Sequence, residues 1–366
     1  MHQISKASIV SRCRQLSRLL MAGGALTLGV AAASITFSVS AYAGKSWTFT
    51  NFDPTGSIAT WPASINNGVI AGSYQVQGNN GWVYHGFVRA ANGTITSFDP
   101  AGSTGTHAQA INSNGEIAGY YQDSSGVNHG FVMAADGTIT SFDPTGSTGT
   151  YAFGIDNKGE VVGYYNTSQA GAQHCFLLTA GGTIDKCDPL NNWQASPAGI
   201  NNKGTITGNV YTTSGNSDGF TASVSKKGVV TSTEFSAPNA ANSTFGTGIN
   251  NSGTVAGYSF DVDDDVLGFV YTSNGTITPF SGAAGAVYTL PTSINNKGTV
   301  AGSYYDSNYN QWAFTMASDG TITTLSDPDA GGGLEGTDAT SIDSAGRLTG
   351  YYLDSSGVQH GFLYSK

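Results

Sequence analysis

The chain has 366 residues, a formal net charge of −10 and only 10% charged residues, well below the roughly 25% of an average globular protein. So little charge excludes a coiled coil or an ion-pair-laced helical protein, and the acidic balance excludes a nucleic-acid binder, which needs cationic surface to displace counterions. An aromatic share of 11% excludes a disordered chain, because the rings supply apolar surface to bury.

Lys6, Arg12, Arg14 and Arg18 form a basic leader without an acidic residue, followed by an apolar run to about Val39 and by Ala41-Tyr42-Ala43. This pattern predicts a signal peptide over residues 1–43, cleaved after Ala43; an uncleaved membrane anchor is the alternative. Residues 44–366 hold no second apolar run of about 20 residues. The mature chain is expected to be exported, periplasmic or extracellular, soluble and monomeric. It has no nucleic-acid partner, because the leader takes only basic charge with it and leaves an acidic remainder. Cys175 and Cys187 remain, in a compartment where disulfides persist.

Two anchors then repeat along the chain. One is Ile before Asn or Asp, at Ile65, Ile111, Ile155, Ile200, Ile249, Ile294 and Ile342; the other is a small residue before Phe, from Gly86-Phe87 to Gly361-Phe362. A fixed period in the mid-forties marks a repeat architecture. The second unit shows short β-branched and aromatic runs at 106–112, 116–121, 128–134 and 138–143, separated by Asn-, Asp- and Gly-rich turns, so each unit reads as four strands. The predicted fold is all-β: a seven-bladed β-propeller of four-stranded antiparallel blades over 44–366.

The link between third and fourth strands reads Ala91-Asn92-Gly93, Ala135-Asp136-Gly137 and similarly onward, a three-residue hairpin with Gly in the left-handed position. That register sets Gly86 against Phe98, Gly130 against Phe142, Gly219 against Phe235 and Gly268 against Phe280, a ring over bare backbone each time. In the third unit both partners change together, to Cys175 and Cys187, which predicts a cross-strand disulfide rather than two free thiols. One position on, His85 faces Asp99, His129 faces Asp143 and His174 faces Asp188. Such pairs are a catalytic dyad or a metal site in one reading and structural ties in the other. Structural ties are favoured, because copies spread around a ring do not converge on one site.

The last unit lacks its fourth strand. Thr48–Phe52 with Asp53-Pro54 copies 138–144, so the N-terminal strand is predicted to complete the last blade, with Phe52 over Gly361 and Asp53 against His360. The unit as a whole, an Ile-Asn turn, then Gly-Tyr-Tyr, then His-Gly-Phe at His85, His129 and His360 and His-Cys-Phe at His174, resembles the HAF-type extracellular repeat of bacterial secreted proteins. Asp218, Leu267 and Trp312 replace the His in the fourth to sixth units. The resemblance implies a secreted or cell-surface location and a repeat fold, not a chemistry.

Four residues before each Ile anchor stand Trp61, His107, Tyr151, Ser196, Phe245, Leu290 and Asp338, expected near the channel mouth on the face with the longer loops. Trp61, His107, Tyr151 and Phe245 are the candidate ligand-binding residues, since rings stack on flat apolar faces; blade-to-blade packing is the competing reading. Asp261, Asp263 and Asp265 alternate like calcium ligands but lack the glycine and the closing glutamate of such a loop, so a solvated acidic turn is favoured. No cofactor or nucleophile-elbow motif occurs, and no cofactor is expected. The function these features favour is a secreted, non-enzymatic propeller that binds a glycan or cell-surface partner. The alternatives are a lyase or hydrolase acting on a polysaccharide or lactone through residues such as His107, Glu335 and Asp338, and a structural surface protein without a small ligand.

Overall fold

Short runs rich in Val, Ile, Tyr, Phe and Thr, most of them stopped by a turn with Gly at positive φ, cannot extend into helices and pair instead with their sequence neighbours. The computed structural model describes residues 46–366 except 80, 170–171, 190–193, 213–214, 239, 241–242, 262–264 and 334–335. The predicted signal peptide, Asp263 and Glu335 lie outside the described residues. Strands β1 to β28 account for the regular structure, and the described residues contain no α-helix.

In the second unit β6 (Gly105–Ile111), β7 (Ile117–Gln122), β8 (Asn128–Met133) and β9 (Ile139–Phe142) pair antiparallel in that order. The predicted strands differ from these by at most one residue at each end. The first unit repeats the order with β2 (Ala59–Asn66), β3 (Val69–Gly78), β4 (Gly81–Arg89) and β5 (Ile95–Phe98). The last described unit joins β26 (Thr337–Ile342), β27 (Leu348–Leu353) and β28 (Gln359–Ser365), and β1 (Thr48–Phe52) pairs with β28. Phe49–Ser365 make up one compact unit, to which the description below applies; residues 46–48 and 366 fall outside it.

Register follows the hairpin arithmetic. Gly86 pairs with Phe98, Gly130 with Phe142, Gly219 with Phe235, Gly268 with Phe280 and Ala313 with Leu325. At the same position Cys175 and Cys187 form a disulfide with a Cα–Cα distance of 5.0 Å.

A second glycine, on the second strand of every unit, has a harsher environment. Each first strand carries a bulge at one fixed place, between Ala108 and Ala110 in β6 and between Ala152 and Gly154 in β10 (Gly149–Ile155). The bulge presses a backbone carbonyl onto the facing glycine. A Cβ at Gly119 would lie 2.1 Å from the His107 oxygen, and one at Gly163 only 1.9 Å from the Tyr151 oxygen. From the other side the glycine is covered by its cross-strand Phe, Phe131 or Phe176. These phenylalanines, with Phe87, Phe220, Phe269, Phe314 and Phe362, are the largest fully buried side chains. Each contributes about 1.5–3 kcal/mol by leaving water.

At the opposite strand ends the Asn of each Ile-Asn anchor links neighbouring units. Its carbonyl oxygen accepts N–H bonds within its own turn, as Asn201 does from Lys203 and Thr205. Its amide donates to the next unit: Asn112 to the Asp156 carbonyl (2.8 Å), Asn201 to Asn250 (2.9 Å), Asn250 to Asn295 (3.2 Å) and Asn295 to Asp343 (3.0 Å). Where Asp replaces Asn the ladder loses a donor. Asp156 keeps the turn bonds, but its buried Oδ2 finds no hydrogen-bond donor, and only the Lys158 ammonium lies near, at 3.6 Å.

Two stability measurements follow. Gly163→Ala must displace backbone and is expected to cost at least about 3 kcal/mol in denaturant unfolding, whereas Gly199→Ala, where a Cβ meets nothing within 4 Å, should change stability by no more than about 0.5 kcal/mol. Asp156→Asn restores the missing donor and is expected to stabilise by about 0.5–1.5 kcal/mol; a lower melting temperature would contradict the ladder.

Candidate functional site

Turns between first and second strands and between third and fourth strands lie at one end of each unit, the asparagine face. The second-to-third turns and the connections between units lie at the other, the loop-rich face. Because the first strand runs from the loop-rich face to the Ile anchor, the residue four before that anchor stands near the loop-rich mouth. The bulge just below it fixes its carbonyl on the second-strand glycine, so its side chain is aimed by the fold itself.

Three of the four predicted binding residues belong to one arc of rings. Trp61 lies 5.5 Å from Tyr84, Tyr84 4.9 Å from His107, and His107 stacks on Tyr120 at 4.8 Å. Tyr120 meets Tyr151 at 5.1 Å, and Tyr151 stacks on Tyr164 at 4.8 Å. Phe245 stands apart, stacked on Tyr258 at 5.0 Å. The four candidates are half-buried, so they serve packing between units and leave an edge at the mouth.

Burial shapes the titration of this wall. It lowers the His107 pKa to about 4, so the ring is neutral at neutral pH. Burial first, and the neighbouring Tyr151 and Tyr84, raise Tyr120 to about 12. Asp338, 1% exposed, accepts hydrogen bonds from Gln311 Nε2 (3.1 Å) and the Tyr351 hydroxyl (3.0 Å). Burial, and then the Asp338 charge, push Tyr351 well above the usual tyrosine range. Tyr84, Tyr120 and Tyr351 are not among the candidates from the sequence. The observed register pairs Tyr120 with His107 and Tyr351 with Asp338, and the bulge in each first strand hides this pairing from the sequence.

The His–Asp pairs lie nearer the outer edge of the same face. Nδ1 of His85, His129, His174 and His360 stands 2.6–2.8 Å from Asp99, Asp143, Asp188 and Asp53. The second carboxylate oxygen of Asp53, Asp99 and Asp143 accepts a bond from a buried threonine seven residues later, Thr60, Thr106 or Thr150. In units without the acid, the same threonine accepts from backbone instead: Ala237 N–H to Thr244, Gly282 N–H to Thr289 and Asp327 N–H to Thr337. The hydroxyl meets the carboxylate and not the imidazole, and it is out of reach of solvent. That order cannot activate a nucleophile, and it ties the outer strand to the following unit. Asp261 accepts the Asp265 N–H across its turn, and the described residues hold no cluster of three or more metal-ligating side chains.

Comparison with known proteins defines the scaffold. No family model matches the chain, and no curated protein matches it. Solved structures do. The β-propeller domain of the Trilobed protease from Pyrococcus furiosus superposes with a TM-score of 0.59 at 9% identity, over 85% of this chain and 95% of that one. Acylaminoacyl peptidase from Pyrococcus horikoshii gives 0.58 at 8% identity, over 85% of this chain and 52% of its own. A prolyl endopeptidase gives 0.57 at 9%, over 84% and 50%. The chain thus has an all-β, propeller-like fold and spans about half the length of these two peptidases. The expectation of a non-enzymatic propeller binding a glycan or surface partner is corrected here. The similar propellers come from a protease and peptidases, and at 8–9% identity the likeness is one of fold. Among the described residues no helix is long and apolar enough to cross a membrane, and the disulfide is of the kind kept in oxidising compartments.

For His360, burial opposes the charged ring, but the bond to Asp53 and the nearby Asp354 outweigh it, and its pKa is raised; His129 shifts the same way between Asp143 and Asp123. A raised pKa stabilises fully below the unfolded value of about 6.5 and is lost as pH rises through the folded value. The melting temperature should therefore fall as pH rises from about 6.5 through the raised folded values. The fall should be shallower in the double variant His129→Gln, His360→Gln; equal slopes would contradict the assignment.

Proposed function

We propose that the chain is a hydrolase-type propeller whose substrate side is the loop-rich mouth, and that it acts on acylated or peptide amides. The observation that carries this reading is the continuous wall of rings from Trp61 to Tyr164, set at the mouth of a fold similar to peptidase propellers. Rings hold apolar side chains and flat amide planes at little entropic cost. His107, neutral in that wall, offers one N–H donor and one nitrogen acceptor, the two partners a peptide group requires.

We further infer a ring of seven blades, the last completed by β1. Bonds from Thr340 Oγ1 to the Pro62 carbonyl (2.8 Å), Ile65 N–H to Ser341 Oγ (3.2 Å) and Gln359 Nε2 to the Thr60 carbonyl (3.1 Å) support closure between last and first units. So does a shallow basin of about 260 Å³ on the asparagine face, lined by all of the Ile anchors from Ile65 to Ile342. The basic leader, the disulfide and the likeness to HAF-type repeats support export.

The functional reading is tested by offering the purified protein a panel of acylaminoacyl and peptidyl fluorogenic amides. Turnover is expected, with kcat/KM falling at least about tenfold in Trp61→Ala and His107→Ala and unchanged in Val229→Ala on the other face. No turnover across the panel, or turnover indifferent to both mouth substitutions, would contradict it.

A further inference from the structure

The second-to-third hairpin of the first unit is longer than its counterpart in the second. Strands β3 and β4 hold 10 and 9 residues, against 6 and 6 in β7 and β8, and their pairing continues outward through Gln77–Trp82 to Gly78–Gly81. The hairpin therefore rises from the loop-rich face as a prong. Near its tip stands Trp82, 69% exposed, the most exposed large apolar side chain in the described residues. Strand alternation puts Trp82 on the same side of β4 as Tyr84, and Tyr84 touches Trp61 and His107. An aromatic track thus runs from open solvent to the mouth.

Other exposed apolar residues gather at this face. Ile58, Val127 and Val358 are 36–40% exposed. Ile58 N–H bonds the Gln75 carbonyl at the base of the prong, and Ala59 pairs with Gln359, which sets Ile58 beside Val358. A tryptophan held out in water on a face that also exposes Ile58, Val127 and Val358 is a surface shaped for a partner.

Charge identifies that partner. Asp53, Asp99, Asp123, Asp143, Asp327 and Asp354 all stand in loops of the loop-rich face, the first two at the ends of β1 and β5. The lysines at 158, 203, 226, 227 and 297, with Arg89 and Arg347, all lie in turns or at strand ends of the asparagine face. Within 49–365 the one remaining lysine or arginine is Lys186, on the outer strand β13 (Ile184–Lys186); the bases of the loop-rich face are histidines, of which His85, His129, His174 and His360 are each bonded to an aspartate. The asparagine face balances its lysines and arginines with Glu116, Asp136, Asp156, Glu160, Asp319 and Asp343, whereas the turns of the loop-rich face carry carboxylates and neither lysine nor arginine; such a face repels anionic partners and draws cationic ones.

We propose that the prong and the acidic loop-rich face dock an extended cationic peptide with apolar side chains, one of which packs on Trp82. The inference rests on the reading of this mouth as the substrate side and names the substrate class. Binding is measured without turnover, by fluorescence anisotropy, with a labelled peptide of alternating Lys and Leu and with a second in which Glu replaces Lys. The Lys peptide should bind, the Glu peptide should not, and affinity should fall steeply with added salt. Trp82→Ala should weaken binding about tenfold, while Val229→Ala, 60% exposed but on the asparagine face, should leave it unchanged. Equal binding of both peptides, or indifference to Trp82→Ala, overturns the proposal. A concentration-dependent dimer that Trp82→Ala abolishes, with no peptide bound, overturns it too and assigns the patch to a second copy. Lys-peptide binding without hydrolysis of any amide sinks the hydrolase reading alone; amide turnover with no preference for cationic peptides sinks this inference alone.

Discussion

One contact recurs in every unit and fixes what surrounds it: the first-strand carbonyl above the bulge, pressed onto a second-strand glycine whose other side is sealed by a buried phenylalanine. No side chain larger than hydrogen fits between carbonyl and ring. The glycine brings the first strand close, the bulge turns it, and the turn sets the angle at which Trp61, His107 or Asp338 enters the mouth. The phenylalanine supplies the burial free energy that holds the layer together. The mouth is therefore a by-product of how the blade is packed, and its side chains vary while its backbone does not.

A second glycine–ring pair governs the outer half of each unit and lends itself to exchange. Gly86 beneath Phe98 and Cys175 bonded to Cys187 occupy the same register position. The first relies on an aromatic cover and the second on a covalent link. At the end of the chain the same position is filled by Gly361, and the ring over it comes from Phe52 in β1. Arg89 lies over that ring at 5.0 Å, a cation–π contact, and His360 meets Asp53 one residue on. The first and last strands of the described chain thus reuse contacts that elsewhere join sequence neighbours.

Much of this was legible in the sequence, and the limits have physical causes. The outer register could be computed because a hairpin of known length makes paired residue numbers sum to a constant, which is how Gly130–Phe142 and Cys175–Cys187 were found. The inner register could not, because the bulge between Ala108 and Ala110 breaks that sum. The glycine of Gly-Tyr-Tyr was visible as a repeat, but its reason was not. The Ile-Asn anchor was found as a marker; that its amide bridges units emerged only from geometry. Trp61, His107 and Tyr151 are placed by phase; Tyr84 and Tyr120 join them into one wall through ring contacts that phase does not give. That lysine and arginine avoid the turns of the loop-rich face needed only the face of each turn. The non-enzymatic reading came from degraded symmetry, which describes the scaffold and is silent on chemistry.

Phe52 over Gly361 occupies at the ends of the chain the register position that Cys175–Cys187 occupies in the third unit. The direct measurement is the double variant Phe52→Cys, Gly361→Cys, purified without reductant, digested and analysed by mass spectrometry. A 52–361 disulfide forming as readily as the natural 175–187 bond is the predicted result. Free thiols at 52 and 361, or bridges only between molecules, would contradict it.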